Sequence, residues 1–192
     1  MKKSRFDLFK LVLVCVSVLF LSSCSNEGNN DNNVEDLLGT WNLTALTYDG
    51  ETVSSFSGTS ITTDFSGEGQ NIDATIVFGD NPNAVNSQGA YDIAITYSVA
   101  GQESSQMISI SEYQSEGTWS LKGNILTLVG ELLSFSSPSD LDLVDSGDSS
   151  IDYVIEELTA TTMRLSATKE QSFNQSGATI TSTVNVLVLF TR

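Results

Sequence analysis

The chain offers few groups able to do chemistry. It has no histidine, two cysteines, and a formal charge of −16 from 8 basic and 24 acidic residues. Serine hydrolysis needs a base that titrates near neutral pH, and without histidine only a lysine is left to serve. Lys122 sits beside a turn signal and Lys169 at a polar strand end, so both read as solvated. Glu156 and Glu157 are adjacent, and neighbours on a strand point to opposite faces, so they cannot flank one glycosidic bond. Glu112 and Glu116 fare no better. No residue earns a catalytic role, and the chain reads as a protein that is not an enzyme.

Metal chemistry is equally thin. Cys15 lies inside an apolar run and Cys24 at its end, so neither is free for a disulfide or a zinc site. Asp140, Asp142, Asp145 and Asp148 offer the hard oxygens that calcium takes. Leu141, Leu143 and Val144 interleave them, however, and no Asp-x-Asp-x-Asp-Gly spacing exists. A solvated acidic loop is the expectation, with no metal and no cofactor. The acidity also repels phosphates, so nucleic acid is not an expected partner.

The amino terminus has its own logic. Lys2, Lys3, Arg5 and Lys10 precede an apolar run from Leu11 to Leu21, about eleven residues long. That length suits a signal peptide and is too short for a spanning helix. The run ends in Leu21-Ser22-Ser23-Cys24, which resembles the bacterial lipobox, where the thiol is acylated and becomes the new amino terminus. Residues 1–23 therefore read as a lipoprotein signal peptide and Cys24 as the lipidation site. Their removal takes four basic residues and one acidic residue, leaving 4 against 23 and a net charge of −19. Several acyl chains on one cysteine hold a domain at a membrane, so the bilayer is the first expected partner. Residues 24–36 are a polar, Asn-rich tether that cannot pack. By resemblance to Gram-negative lipoproteins, Ser25 after the cysteine favours the outer membrane, at its periplasmic face or the cell surface.

From Val34 onward the apolar pattern has period two. Val34–Leu38 suggests one helical turn, followed by Trp41, Leu43 and Ala45 on an inward row that Asp49-Gly50 ends. Residues 51–70 are rich in Ser, Thr and Gly, with a weak strand near Ser60–Phe65. Ile72, Ala74, Ile76 and Phe78 make an inward row before a turn at Gly79–Asn83. Tyr91, Ile93, Ile95, Tyr97 and Val99 form the cleanest alternation, turned by Ala100-Gly101 into Gln106–Tyr113. A second Gly-Thr-Trp strand follows, and Gly123-Asn124 turns it into Ile125–Val129. After a Ser-rich acidic connection come Ile151–Leu158, Thr162–Thr168 and Thr179–Thr191. Eight to ten short strands joined by hairpins predict an all-β, antiparallel up-and-down barrel, which leaves no exposed sheet edges.

Gly39–Trp41, the run Gly117–Leu128 (Gly-Thr-Trp-Ser-x-x-Gly-Asn-x-Leu-Thr-Leu) and Ile155–Leu165 resemble the lipocalin-like domain of bacterial lipoproteins. The resemblance covers roughly residues 37–192, with insertions at 51–70 and 132–150. It implies a calyx-shaped barrel, closed at one end and sometimes open to an apolar ligand at the other. It further implies that Trp41, entered through Gly39, plugs the closed end beneath a late basic side chain, Arg192 or Arg164. No catalytic residue carries over.

Phe78, Tyr91, Tyr97, Tyr153 and Phe190 fall on inward rows. They are candidate pocket-lining residues, or simply core, since a small barrel can be filled or hold one ligand. The expected role is non-catalytic: binding a small hydrophobic ligand, or docking an envelope protein. The alternative is a β-sandwich module that binds glycan or protein at its surface, and an enzyme stands third.

Overall fold

The computed structural model describes residues 33–130, 133 and 150–192. Cys24, the apolar run before it, most of the tether and Asp140–Asp148 lie outside the described residues. Contacts group Asp31–Arg192 into one compact unit, so the barrel's core is contained within that segment.

A single turn, α1 (Val34–Leu37), precedes eight strands: β1 (Gly39–Phe56), β2 (Thr59–Phe78), β3 (Ala84–Val99), β4 (Gln102–Lys122), β5 (Ile125–Val129), β6 (Ser150–Leu158), β7 (Thr162–Gln175) and β8 (Ala178–Thr191). The Asn33 side chain accepts from the Glu35 amide and caps α1. Each strand pairs antiparallel with the next, and β8 pairs with β1 to close the ring. The protein is an up-and-down barrel and not two stacked sheets. Gln106–Tyr113 and the second Gly-Thr-Trp segment, read from sequence as separate strands, are one continuous β4.

The largest departure from the sequence reading lies at residues 50–70. Gly50 does not end β1, and 51–70 is regular paired strand: residues 47–56 pair in register with 59–68 around Ser57-Gly58. The glycines serve packing instead of turning. A Cβ on Gly67 would overlap the Tyr48 ring, and one on Gly50 would overlap the Thr183 backbone carbonyl and stand 2.7 Å from Phe65 Cζ. Each glycine makes room for the ring across the strand pair, and Tyr48 and Phe65 are 3% and 5% exposed. Glycine in a strand then marks a close approach and not a break.

Bulges reset which rows face inward. A register shift between Leu43 and Ala45 turns Ala45 off the inward row and brings Leu46 and Tyr48 onto it. Similar shifts lie at Gln70/Asp73, Gly89/Tyr91 and Ile155/Glu157. The last leaves Glu156 and Glu157 both exposed, rather than on opposite faces.

One end of the barrel collects α1 and the β2–β3, β4–β5 and β6–β7 turns; the β1–β2, β3–β4 and β7–β8 turns lie at the other. β5 pairs only with Thr118–Lys122 of β4, and β6 meets β7 from Val154 to Leu158. Among the described residues, Gln102–Gly117 of β4 and Ala167–Gln175 of β7 are therefore paired on one side only.

Candidate functional site

At the α1 end the interior is solid. Trp41 is fully buried, and its indole N–H donates to the Leu37 carbonyl at 2.8 Å. The Arg192 guanidinium lies 4.1 Å from the centroid of the Trp41 ring. Its N–H groups reach the carbonyls of Ala160 (2.7 Å), Leu38 (2.7 Å) and Asp36 (2.9 Å). One cation thus covers the indole and satisfies the carbonyls at the end of α1 and in the β6–β7 turn. Gly39 enters β1 at φ +108°, a conformation that other residues avoid, with Arg192 stacked alongside. Arg164 is exposed on β7 and takes no part.

Trp119, to which the sequence reading assigned no site role, lies at the same end. Its indole N–H donates to the Gly79 carbonyl at 2.9 Å and its ring meets Phe78 edge-on at 6.2 Å. The repeated Gly-Thr-Trp was the signal that could have found it: Trp41 near the start of β1 and Trp119 near the end of β4 each tie a strand to a neighbouring turn or helix through an indole N–H.

Toward the far end the inward rows change character. Leu46, Ile93, Val188 and Leu165 are at most 1% exposed. Next come Tyr48, Ile95, Ala167 and Val186, then Phe65, Tyr97 and Val184. Beyond them lies a hydroxyl layer in which Thr52 and Ser182 bond at 3.1 Å, and Ser182 donates to the Glu51 carbonyl at 3.3 Å. The last inward row holds Phe56, Ile61, Phe173 and Ile180. Phe56 and Ile61 are each 58% exposed and Phe173 38%.

A family model described as a lipocalin-like domain matches residues 37–165, from the end of α1 into β7. The chain belongs to the lipocalin-like family. No curated protein and no solved structure matches it. The matched span stops before β8, although β8 closes this lipocalin-like barrel and leads to Arg192.

Within the lipocalin-like domain, Phe78, Tyr91, Tyr153 and Phe190 are packed into the core, between 1% and 4% exposed. Tyr97 is half-buried, and its hydroxyl accepts from the Gln106 amide at 2.6 Å. The five candidate lining residues therefore do not share one cavity wall: four fill the interior and Tyr97 borders the open end. All five tyrosines of the chain sit on inward rows or bulges beside them, and burial raises the phenol pKa of Tyr48, Tyr97 and Tyr153. The Tyr113 phenol packs edge-on against Tyr91 at 5.5 Å. Its hydroxyl is buried without a well-formed hydrogen bond; burial pushes its pKa up to about 12, and the nearby Ser87 hydroxyl offsets part of that rise.

Lys169 corrects the sequence reading. It is not at a solvated strand end: β7 continues to Gln175, and Lys169 pairs with Val184, which is 2% exposed. Paired residues share a face, so Lys169 follows Met163, Leu165 and Ala167 on the inward row and is half-buried. Lys122 is exposed beside its turn, as expected.

Proposed function

We propose that this is a lipid-anchored, non-catalytic envelope protein whose lipocalin-like barrel takes a small apolar ligand through the end away from Trp41. The observation that carries the reading is the contrast along the inward rows. Those near Trp41 are filled, whereas Phe56, Ile61, Val99 and Phe173 face inward and are still 38–58% exposed. Large exposed apolar side chains on a barrel's inward rows suit contact with an apolar ligand. Anchoring through Cys24 and residence at the outer membrane rest on the charged leader, the short apolar run and Leu21-Ser22-Ser23-Cys24.

A second reading, a surface module for a glycan, draws on a polar groove of about 450 Å3 on the outer face, where Asp73, Gln88, Glu112 and Gln114 meet at the bulges. Native mass spectrometry of the Cys24→Ala protein, released from its own host, tests both location and occupancy. The expected result is a soluble periplasmic protein carrying an apolar small molecule. Continued fractionation with membranes refutes the anchor. An empty barrel that retains an oligosaccharide favours the groove.

A further inference from the structure

The three hairpin turns at the end away from Trp41 are built alike. Ser57-Gly58, Ala100-Gly101 and Ser176-Gly177 each hold two residues at positive φ, between +50° and +84°. Each closes its hairpin tightly, the last pairs being Phe56 with Thr59, Val99 with Gln102 and Gln175 with Ala178. No loop backbone is left over at these tips. The chain around all three carries no charged residue, over 52–63, 93–102 and 171–182, in a protein with 24 acidic and 8 basic residues.

Two of these hairpins form one projecting sheet. Thr59–Thr62 of β2 runs past Thr63, whose partner is the last residue of β3. On this projection Ile61, Ser54, Ile180 and Phe173 pair in one row across β2, β1, β8 and β7. Paired residues share a face, so the row and Phe56 make that face apolar. The polar side chains there are largely matched to one another. Ser55 bonds Ser60 at 2.8 Å, the Thr179 hydroxyl donates to Asn174 at 2.9 Å, and Ser172 bonds Thr181 at 3.3 Å. Hydroxyls that already have partners cost less to withdraw from water. An exposed end that is apolar, uncharged and internally hydrogen-bonded suits contact with a surface of low polarity.

Charge decides which surface. Glu51, Asp64, Glu103 and Glu170 are exposed where the uncharged runs end. Two copies meeting end to end would bring these carboxylates together, and an anionic bilayer would repel them. A zwitterionic lipid surface does neither. We infer that this end docks on a zwitterionic bilayer at headgroup level, with Phe56, Ile61 and Phe173 entering the boundary with the acyl chains. The docking uses side chains that also carry the apolar-ligand reading, but it does not require an occupied barrel.

The test is flotation with phosphatidylcholine vesicles and with phosphatidylglycerol-rich vesicles, using residues 31–192, whose core is complete in that segment. The wild type should float with phosphatidylcholine and bind the phosphatidylglycerol-rich vesicles more weakly. Combining Phe56→Ser, Ile61→Ser and Phe173→Ser should weaken partitioning by about 10-fold or more, since each removes an apolar side chain from the boundary. Met107→Ser with Leu187→Ser, at exposed apolar positions on outward rows, should leave it unchanged. The segment has no cysteine, so a polarity-sensitive dye attached through Ile61→Cys should shift to the blue on vesicles, and one attached through Met107→Cys should not. That readout does not depend on the folding of the triple variant. Absence of flotation, tighter binding to phosphatidylglycerol, equal loss in both serine variants, or a blue shift at both dyes overturns the inference. So does a dimer in lipid-free sedimentation that Phe56→Ser dissolves, which assigns this end to a second copy. An apolar molecule retained in the barrel without vesicle binding leaves the apolar-ligand role standing, and vesicle binding by an empty barrel leaves only the docking.

Discussion

Gly67 and Tyr48 provide the sharpest test of how the long β1–β2 hairpin is held. Gly67 has no positive φ, so its backbone places no demand for glycine. On conformational grounds alone, Gly67→Ala would stabilise a strand by about 0.5–1 kcal/mol. The new Cβ, however, would overlap the Tyr48 ring and stand 2.5 Å from Tyr48 Oη. Tyr48 is 3% exposed and packs against Phe65 with centroids 6.3 Å apart, so its ring has little room to withdraw. Overpacking of this kind costs about 1–3 kcal/mol, which outweighs the gain and makes Gly67→Ala destabilising. Once the ring is removed by Tyr48→Ala, itself costing about 3–5 kcal/mol, the same Gly67→Ala change should turn stabilising by about 0.5 kcal/mol. Urea unfolding of the four proteins, followed by tryptophan fluorescence, should give a coupling energy of about 2 kcal/mol. If Gly67→Ala has the same effect in both backgrounds, the ring does not rest on Gly67 and the packing account of the hairpin is wrong.

Arg192→Met should lower stability by about 2–4 kcal/mol, since it removes three hydrogen bonds to carbonyls and the stacking on Trp41. Arg164→Met should stay within about 0.5 kcal/mol, and thermal melts of the two variants separate the roles. Alkaline pH should unfold the domain. Burial raises the phenol pKa of Tyr48, Tyr113 and Tyr153 above the usual value near 10, so their contribution is intact below about pH 10. It is lost as pH climbs through the raised values, at about 1.4 kcal/mol per pH unit for each tyrosine. Tyrosinate absorbance and circular dichroism should then change together; phenols that ionise one by one in a folded domain would refute this.

Much of the architecture is local and therefore readable along the chain. Period-two rows such as Tyr91–Ile95 and Ile72–Phe78 declare strands, and Gly79–Asn83, Ala100-Gly101 and Gly123-Asn124 declare turns, because alternation and positive φ depend on near neighbours. The family resemblance was legible for the same reason. Residues 51–70 were not: Gly50 and Gly67 look like breakers until the rings that use their space are seen, and those rings come from the facing strand. Lys169 was misread because the length of β7 is set by its pairing with β8, not by its own polar sequence.

Residue types and their spacing determined that this chain is all-β, closes by hairpins and lacks histidine chemistry. The choice between Arg192 and Arg164 fell to the tertiary structure, since barrel closure brings Arg192 onto carbonyls 154 and 156 residues away in the chain. So did the inside and outside of each row, because a single bulge exchanges them while leaving the alternation unchanged.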